Sequence, residues 1–160
     1  MAMSHLVLSR EIYSPLDRVF AHVSDLTRAP EWWPNLSEVR RVNGAGEVTV
    51  GTRYAFTYNM LGRHLPGEAV VTELVAGERS VLETTGQIHA VIRNDYRATA
   101  RTRTRVTVII EYEVPGLIGR VVNTLLVERR NAADADHAFD QLKDLLEHEA
   151  LARIDEGVVL

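Results

Sequence analysis

The chain has no cysteine. That excludes disulfides, thiol nucleophiles and cysteine-ligated metals. Lysine is almost missing too. Lys143 is the only one, on what reads as an exposed helix turn, so Schiff-base chemistry has little to work with. No apolar run approaches the roughly 18–20 residues of a membrane-spanning helix. The opening MAMSHLVLSREIY has only a short apolar stretch before Arg10 and Glu11, which is no signal peptide. Basic charge is not in excess. Lys+Arg number 18 against 22 Asp+Glu, a net charge of −4, which argues against a nucleic-acid partner. There is no G-x-S-x-G nucleophile elbow. Gly44–Ala45–Gly46 lacks the third glycine of a dinucleotide loop and falls between strands, so it reads as a turn. What is present is 160 residues, 46% hydrophobic and 25% charged. This is enough for one globular cytoplasmic domain, residues 1–160, with a single core.

The order of elements follows from periodicity. A strand from about His5 to Ile12 leads into a helix start, with Ser14 as N-cap, Pro15 at N1 and Asp17 at N3. Leu16, Val19, Phe20, Val23 and Leu26 then form one apolar helical face. Pro30 and Pro34 bracket a second short helix, the first opening it and the second stopping it. From Leu36 to Val114 the period is two. Breaks at Asn43–Gly46, Leu61–Gly62, Pro66–Gly67, Ala76–Gly77, Gly86 and Ala100–Arg103 predict about six antiparallel strands. After Pro115–Gly116 a helix runs from Leu117 to Leu151, about 35 residues and ~50 Å. Helices segregated from an antiparallel sheet make the class α+β.

Each strand shows one dry and one wet face. Tyr54, Phe56, Tyr58 and Met60 share the dry face of one strand. Ile92, Asn94, Tyr96 and Ala98 share that of another, and Val106, Val108, Ile110 and Tyr112 that of the last. For the last two sets to lie on one side of the sheet, the Ala100–Arg103 hairpin must have an odd loop or a bulge. The dry faces carry hydroxyls and an amide, groups that cost about 1–3 kcal/mol each to bury unpaired. These groups either bond one another or serve as polar handles in a ligand cavity. The long helix supports a cavity. Its ends hold Val121, Val122, Leu125 and Leu126, then Phe139, Leu142, Leu145 and Leu146, while its middle offers only Ala132, Ala133, Ala135 and Ala138. Small residues facing a sheet leave space, although alanine is also simply the best helix former.

Val23–Ser24–Asp25–Leu26–Thr27–Arg28–Ala29–Pro30–Glu31–Trp32, followed by Pro34, resembles the helix-to-helix signature of the START-like, or SRPBCC, superfamily. Val50–Gly51–Thr52–Arg53–Tyr54, Val71–Thr72–Glu73–Leu74, Thr104–Arg105–Val106–Thr107, Glu111–Tyr112–Glu113–Val114–Pro115–Gly116 and Leu142–Lys143–Asp144–Leu145–Leu146–Glu147 extend the resemblance in order along nearly the whole chain. Within it, the polyketide cyclase/dehydrase type is the most similar group. The resemblance implies a helix-grip fold, in which a curved antiparallel sheet of about seven strands wraps a long C-terminal helix. It further implies two short helices after strand 1 and an elongated apolar cavity. It implies ligands such as polyketides, lipids, quinones, sterols or plant-hormone-like aromatics, and no single reaction. Of Trp32 and Trp33, one is expected to pack and the other to lie near the mouth.

The candidate catalytic residues are Tyr58, Asn94, Tyr96 and His64, with His89 and Glu83 as further acid–base groups. Trp33, Tyr54, Phe56, Met60, Ile92, Val108, Ile110, Tyr112, Leu125 and Phe139 are the expected ligand contacts. No metal or other cofactor is expected. His137 sits among Asp134, Asp136 and Asp140, but helical spacing points it away from the acidic pair, so a solvated face is the better reading. Arg93, Arg97, Arg101, Arg103 and Arg105 read the same way. Two functions follow: cofactor-independent cyclisation or dehydration of a bound aromatic or polyketide-like molecule, or non-catalytic carriage of a lipid or quinone. A module with a collapsed cavity is a third. The expected partner is a hydrophobic small molecule, and a homodimer is compatible with the sequence.

Overall fold

The computed structural model describes residues 3–113 and 124–155. Strand β1 (Ser4–Ile12) is followed by helix α1 (Leu16–Ser24) and a 3-10 helix (Leu26–Glu31). Six strands come next: β2 (Leu36–Arg41), β3 (Arg53–Met60), β4 (Arg63–Val75), β5 (Arg79–Gly86), β6 (Ala90–Ala100) and β7 (Arg103–Tyr112). Helix α2 (Thr124–Asp155) ends the described chain. All neighbouring strands are antiparallel, in the spatial order β1-β7-β6-β5-β4-β3-β2. The curved sheet holding a long C-terminal helix is the helix-grip arrangement. Among the described residues no helix is long and apolar enough to cross a membrane.

Several local expectations need correction. Ser14 does not cap α1. Its amide turns back to the Ile12 carbonyl (2.9 Å) and its own carbonyl accepts from the Thr104 hydroxyl (2.8 Å), so Ser14 closes the strand end instead. Pro15 takes the cap position with extended backbone and no side-chain bond, and the amides of Arg18 and Val19 both reach its carbonyl at 3.1 Å. Pro30 lies inside the 3-10 helix and does not open it. Asp25 opens it by accepting from the amide (3.1 Å) and hydroxyl (2.7 Å) of Thr27.

Pro66–Gly67 is not a break either. Both residues sit within β4, opposite Thr57 and Phe56, and pairing with β5 begins only at Gly67. Pro66 therefore lacks a neighbour on the side where its missing amide would matter. Gly67 allows the Phe56 ring to lie against the backbone, since a Cβ there would meet the ring at 2.6 Å. The expected start of the long helix, with Val121 and Val122, lies outside the described residues. Lys143 is half-buried on α2, where it donates to the Glu11 carbonyl (2.7 Å) and to Glu147.

The β6–β7 hairpin meets its parity condition. Ala100 pairs with Arg103 across a two-residue turn, and a bulge between Ala98 and Ala100 restores the register. Asn94, Tyr96, Val106, Val108 and Ile110 are accordingly buried on one side. There Tyr96, Val106, Val108 and Ile110 pack with Ile12, Val19, Ala138, Phe139, Leu142 and Leu146 in the principal core. Each large apolar side chain buried in this way contributes about 1.5–3 kcal/mol. A second cluster, Tyr54, Phe56, Ala69 and Val71, joins β3 to β4. A third, Met60, Leu65 and Val127, lies under the described N-terminal part of α2.

Candidate functional site

Between these clusters the sheet and α2 do not meet. The space is a cavity of about 140 Å³. One wall comes from the end of α1 and the 3-10 segment, with Val23, Ser24, Leu26, Ala29, Trp32 and Trp33. Strands supply Phe56, Tyr58, Met60, Thr84, Ile92, Asn94, Ile110 and Tyr112, and α2 supplies Asn131, Ala135 and Phe139. The reason for the space is the α2 stripe itself. Val127, Asn131, Ala135, Ala138, Phe139, Leu142 and Leu146 are its buried residues. Its middle is small while its C-terminal half is bulky, so the helix fills the core at one end only.

The aromatic wall is well braced. Phe139 stands edge-on to both indoles, with ring centroids 5.2 Å from Trp32 and 5.9 Å from Trp33. Both tryptophans line the cavity and both are buried. Asn35 helps hold this loop on α2 by donating to Asp134 at 3.2 Å.

Nine of the expected site residues line the cavity: Tyr58, Asn94, Trp33, Phe56, Met60, Ile92, Ile110, Tyr112 and Phe139. Five do not. Tyr54 and Val108 are fully buried in the packed clusters. Tyr96 stands behind the wall, with its hydroxyl 2.9 Å from that of the lining residue Ser80. His64 is on the wrong face. It pairs with Asn59 across the β3–β4 ladder and bonds its side-chain oxygen, one position out of step with the buried Met60 and Leu65. Leu125 is 51% exposed, because the buried stripe of α2 passes through Val127 instead.

Ionisable groups at the cavity are few. Burial pushes the Tyr58 phenol up to about 12, reinforced by the negative charge of Asp134 and opposed by the Trp33 indole. Burial likewise raises Tyr96 to about 12, opposed by its bond with the Ser80 hydroxyl and by the nearby Ser24 hydroxyl, which makes no bond of good geometry. Both phenols are neutral at pH 7. They can donate a hydrogen bond and cannot serve as bases. At the rim, Glu113 lines the cavity and lies 3.5 Å from Nδ1 of His89, whose Nε2 is 3.5 Å from Glu83. Among the described residues no group of three or more His, Asp or Glu side chains is placed to hold a metal ion. Asp136 and Asp140, beside His137, instead pair with Arg10 of β1.

Polar atoms without partners gather at this cavity. Oδ1 of Asn94, Oδ1 of Asn131, Oγ of Ser24 and the indole N–H of Trp32 are buried with no hydrogen bond. The Trp33 N–H faces the Tyr58 hydroxyl but makes no bond of good geometry. Asn131 was missed by sequence reading. It stands four residues before Ala135 and eight before Phe139, a polar break in an apolar stripe that the spacing makes visible. Glu113 was missed as well, lying just past the end of the last strand.

Solved structures with this fold include a START superfamily protein from Mycobacterium smegmatis, at 13% identity and a TM-score of 0.74, covering 90% of this chain and 97% of that one. The Zhui aromatase/cyclase from Streptomyces sp. R1128 is 12% identical with a TM-score of 0.71, covering 95% and 96%. A protein of Thermus thermophilus is 17% identical with a TM-score of 0.72, covering 88% and 95%. No curated protein matches the chain by sequence. The family model described as polyketide cyclase / dehydrase and lipid transport matches residues 3–147. The chain therefore belongs to the polyketide cyclase/dehydrase and lipid transport family, of START-like fold.

Proposed function

We propose that this protein binds a hydrophobic, aromatic or polyketide-like small molecule in the cavity between its sheet and α2. The observation that carries the reading is the cavity itself, about 140 Å³, walled by Trp32, Trp33, Phe139 and aliphatic side chains with a few polar groups among them. That is the usual composition of a small-molecule site. An engineered cavity of about 150 Å³ in another protein admits benzene. The space here suits one aromatic ring, or one ring of a longer ligand entering past Glu113.

A second reading, cyclisation or dehydration of the bound molecule, is favoured by one placement. Tyr58 and Glu113 line the same cavity. A neutral Tyr58 would hold a carbonyl and the oxyanion that develops on it, and Glu113 would take the proton. The family description covers both cyclase/dehydrase activity and lipid transport. The geometry supports binding more directly than turnover, because among the described residues the ionisable side chains on the wall are only Tyr58, Tyr112 and Glu113.

The two tryptophans are the only ones in the chain, so intrinsic emission reports occupancy of the cavity. Titration with p-xylene is expected to change that emission saturably, with one ligand per chain. An emission that stays constant, or drifts linearly without saturating, would overturn the reading.

A further inference from the structure

The five polar side chains at the cavity without good partners can be read as a description of the ligand. Asn94, on β6, and Asn131, on α2, are each 8% exposed and line the same cavity from the sheet and from the helix. Neither Oδ1 receives a hydrogen bond from the protein. Trp32 and Trp33 line the cavity with indole N–H groups that make no bond of good geometry, and the Ser24 hydroxyl on the same wall makes none either. Buried amides and indoles are nearly always satisfied in folded proteins, because leaving one unpaired costs about as much as burying it in hydrocarbon. Two acceptors, two donors and one hydroxyl that is both, left unpaired around one cavity, are not needed by the fold. Thr84, on the same wall, shows the contrast: its hydroxyl both donates to the Ile88 carbonyl (3.0 Å) and accepts from the Ala90 amide (2.9 Å).

Resting on the binding function proposed above, we infer that Asn94 and Asn131 are specificity residues for a small hydroxylated aromatic, a ring carrying two hydroxyl groups and no charge. The hydroxyl is the group that fits, for two reasons. It both donates and accepts, so it satisfies an amide whichever end the side chain turns toward it, and the terminal amide torsion turns cheaply. Its oxygen also offers the acceptor that the indole N–H groups lack. A carboxylate does not suit this wall, which holds no cation among the described residues and has Glu113 at its rim. An alkyl chain would leave all five groups unpaired.

Calorimetric titration of the intact chain with isosteric rings tests this. The probes are the meta and para xylenes, cresols and dihydroxybenzenes, in which methyl is exchanged for hydroxyl at nearly constant size. The expected order is dihydroxybenzene over cresol over xylene in at least one series, by about tenfold per hydroxyl. Asn94→Leu and Asn131→Leu should each remove about one such step and leave xylene affinity the same or higher. Xylene binding as tightly as dihydroxybenzene overturns the specificity assignment while keeping the binding function. Saturable binding by none of the six overturns both. The wild-type order decides the matter even if a leucine variant fails to fold.

Discussion

His22 shows how much a single buried side chain commits the protein to. It is 1% exposed on α1, and its Nε2, 3.7 Å from a Glu31 carboxylate oxygen, makes no hydrogen bond. Burial lowers its pKa below the ordinary 6.5, and the nearby Arg28 charge lowers it further, against Glu31, Glu149 and Asp25. The folded state thus binds this proton more weakly than the unfolded chain does. The resulting stabilisation is complete above about pH 6.5 and is lost as pH falls through the folded-state pKa. Urea denaturation should give a smaller unfolding free energy at pH 5 than at pH 7.5, and His22→Gln should flatten that part of the profile. An unchanged slope in the variant would mean that His22 is not the group titrating. Composition could not have shown this, because a histidine on an amphipathic helix reads the same whether its ring is solvated or sealed. The same limit hid Asn131. Its place on the buried stripe was legible, but whether anything would bond its amide was not.

At the scale of elements, α2 decides whether there is a cavity. Its alanine-rich middle was legible as a source of unfilled space, and Ala135 does line the cavity while Ala138 packs shut beside it. The helical phase was not legible at the N-terminal end. Leu125 and Leu126 are bulky but 51% and 57% exposed, and Val127 carries the contact with Met60 and Leu65. Three neighbouring apolar residues cannot all face one way on a helix, and sequence alone does not choose among them. Strand parity was a firmer guide, since a side-chain period of two makes the Ala98–Ala100 bulge a necessity once both strands must bury the same face. The break expected at Pro66–Gly67 was absent because a proline usually read as a stop was tolerated where β5 had already ended beside it. The helix argument makes a prediction. Ala135→Leu should occupy the cavity from within, keeping the urea midpoint at or above that of the parent while lowering p-xylene affinity more than tenfold. A stable variant that binds p-xylene as well as the parent would place the ligand elsewhere.

For the whole molecule, the resemblance of Asp25–Leu26 through Pro34 and of the later strands to START-like proteins was enough to expect the helix-grip fold, which seven antiparallel strands and α2 bear out. Family membership follows from a match across residues 3–147. Function is less legible because the matching motifs build the scaffold, whereas the cavity depends on residues scattered over α1, the strands and α2 whose convergence only the folded chain displays. A cavity that binds ligand also stabilises the fold that contains it, by about 2.7 kcal/mol at a hundred times the dissociation constant. The most direct test of the cavity is diffraction from crystals soaked in bromobenzene, read by the anomalous signal of bromine. The peak is expected within the cavity, between Phe139 on α2 and Ile92 and Asn94 on β6. Bromine found only on exposed apolar residues such as Leu151 and Ile154, with the cavity empty, would contradict it.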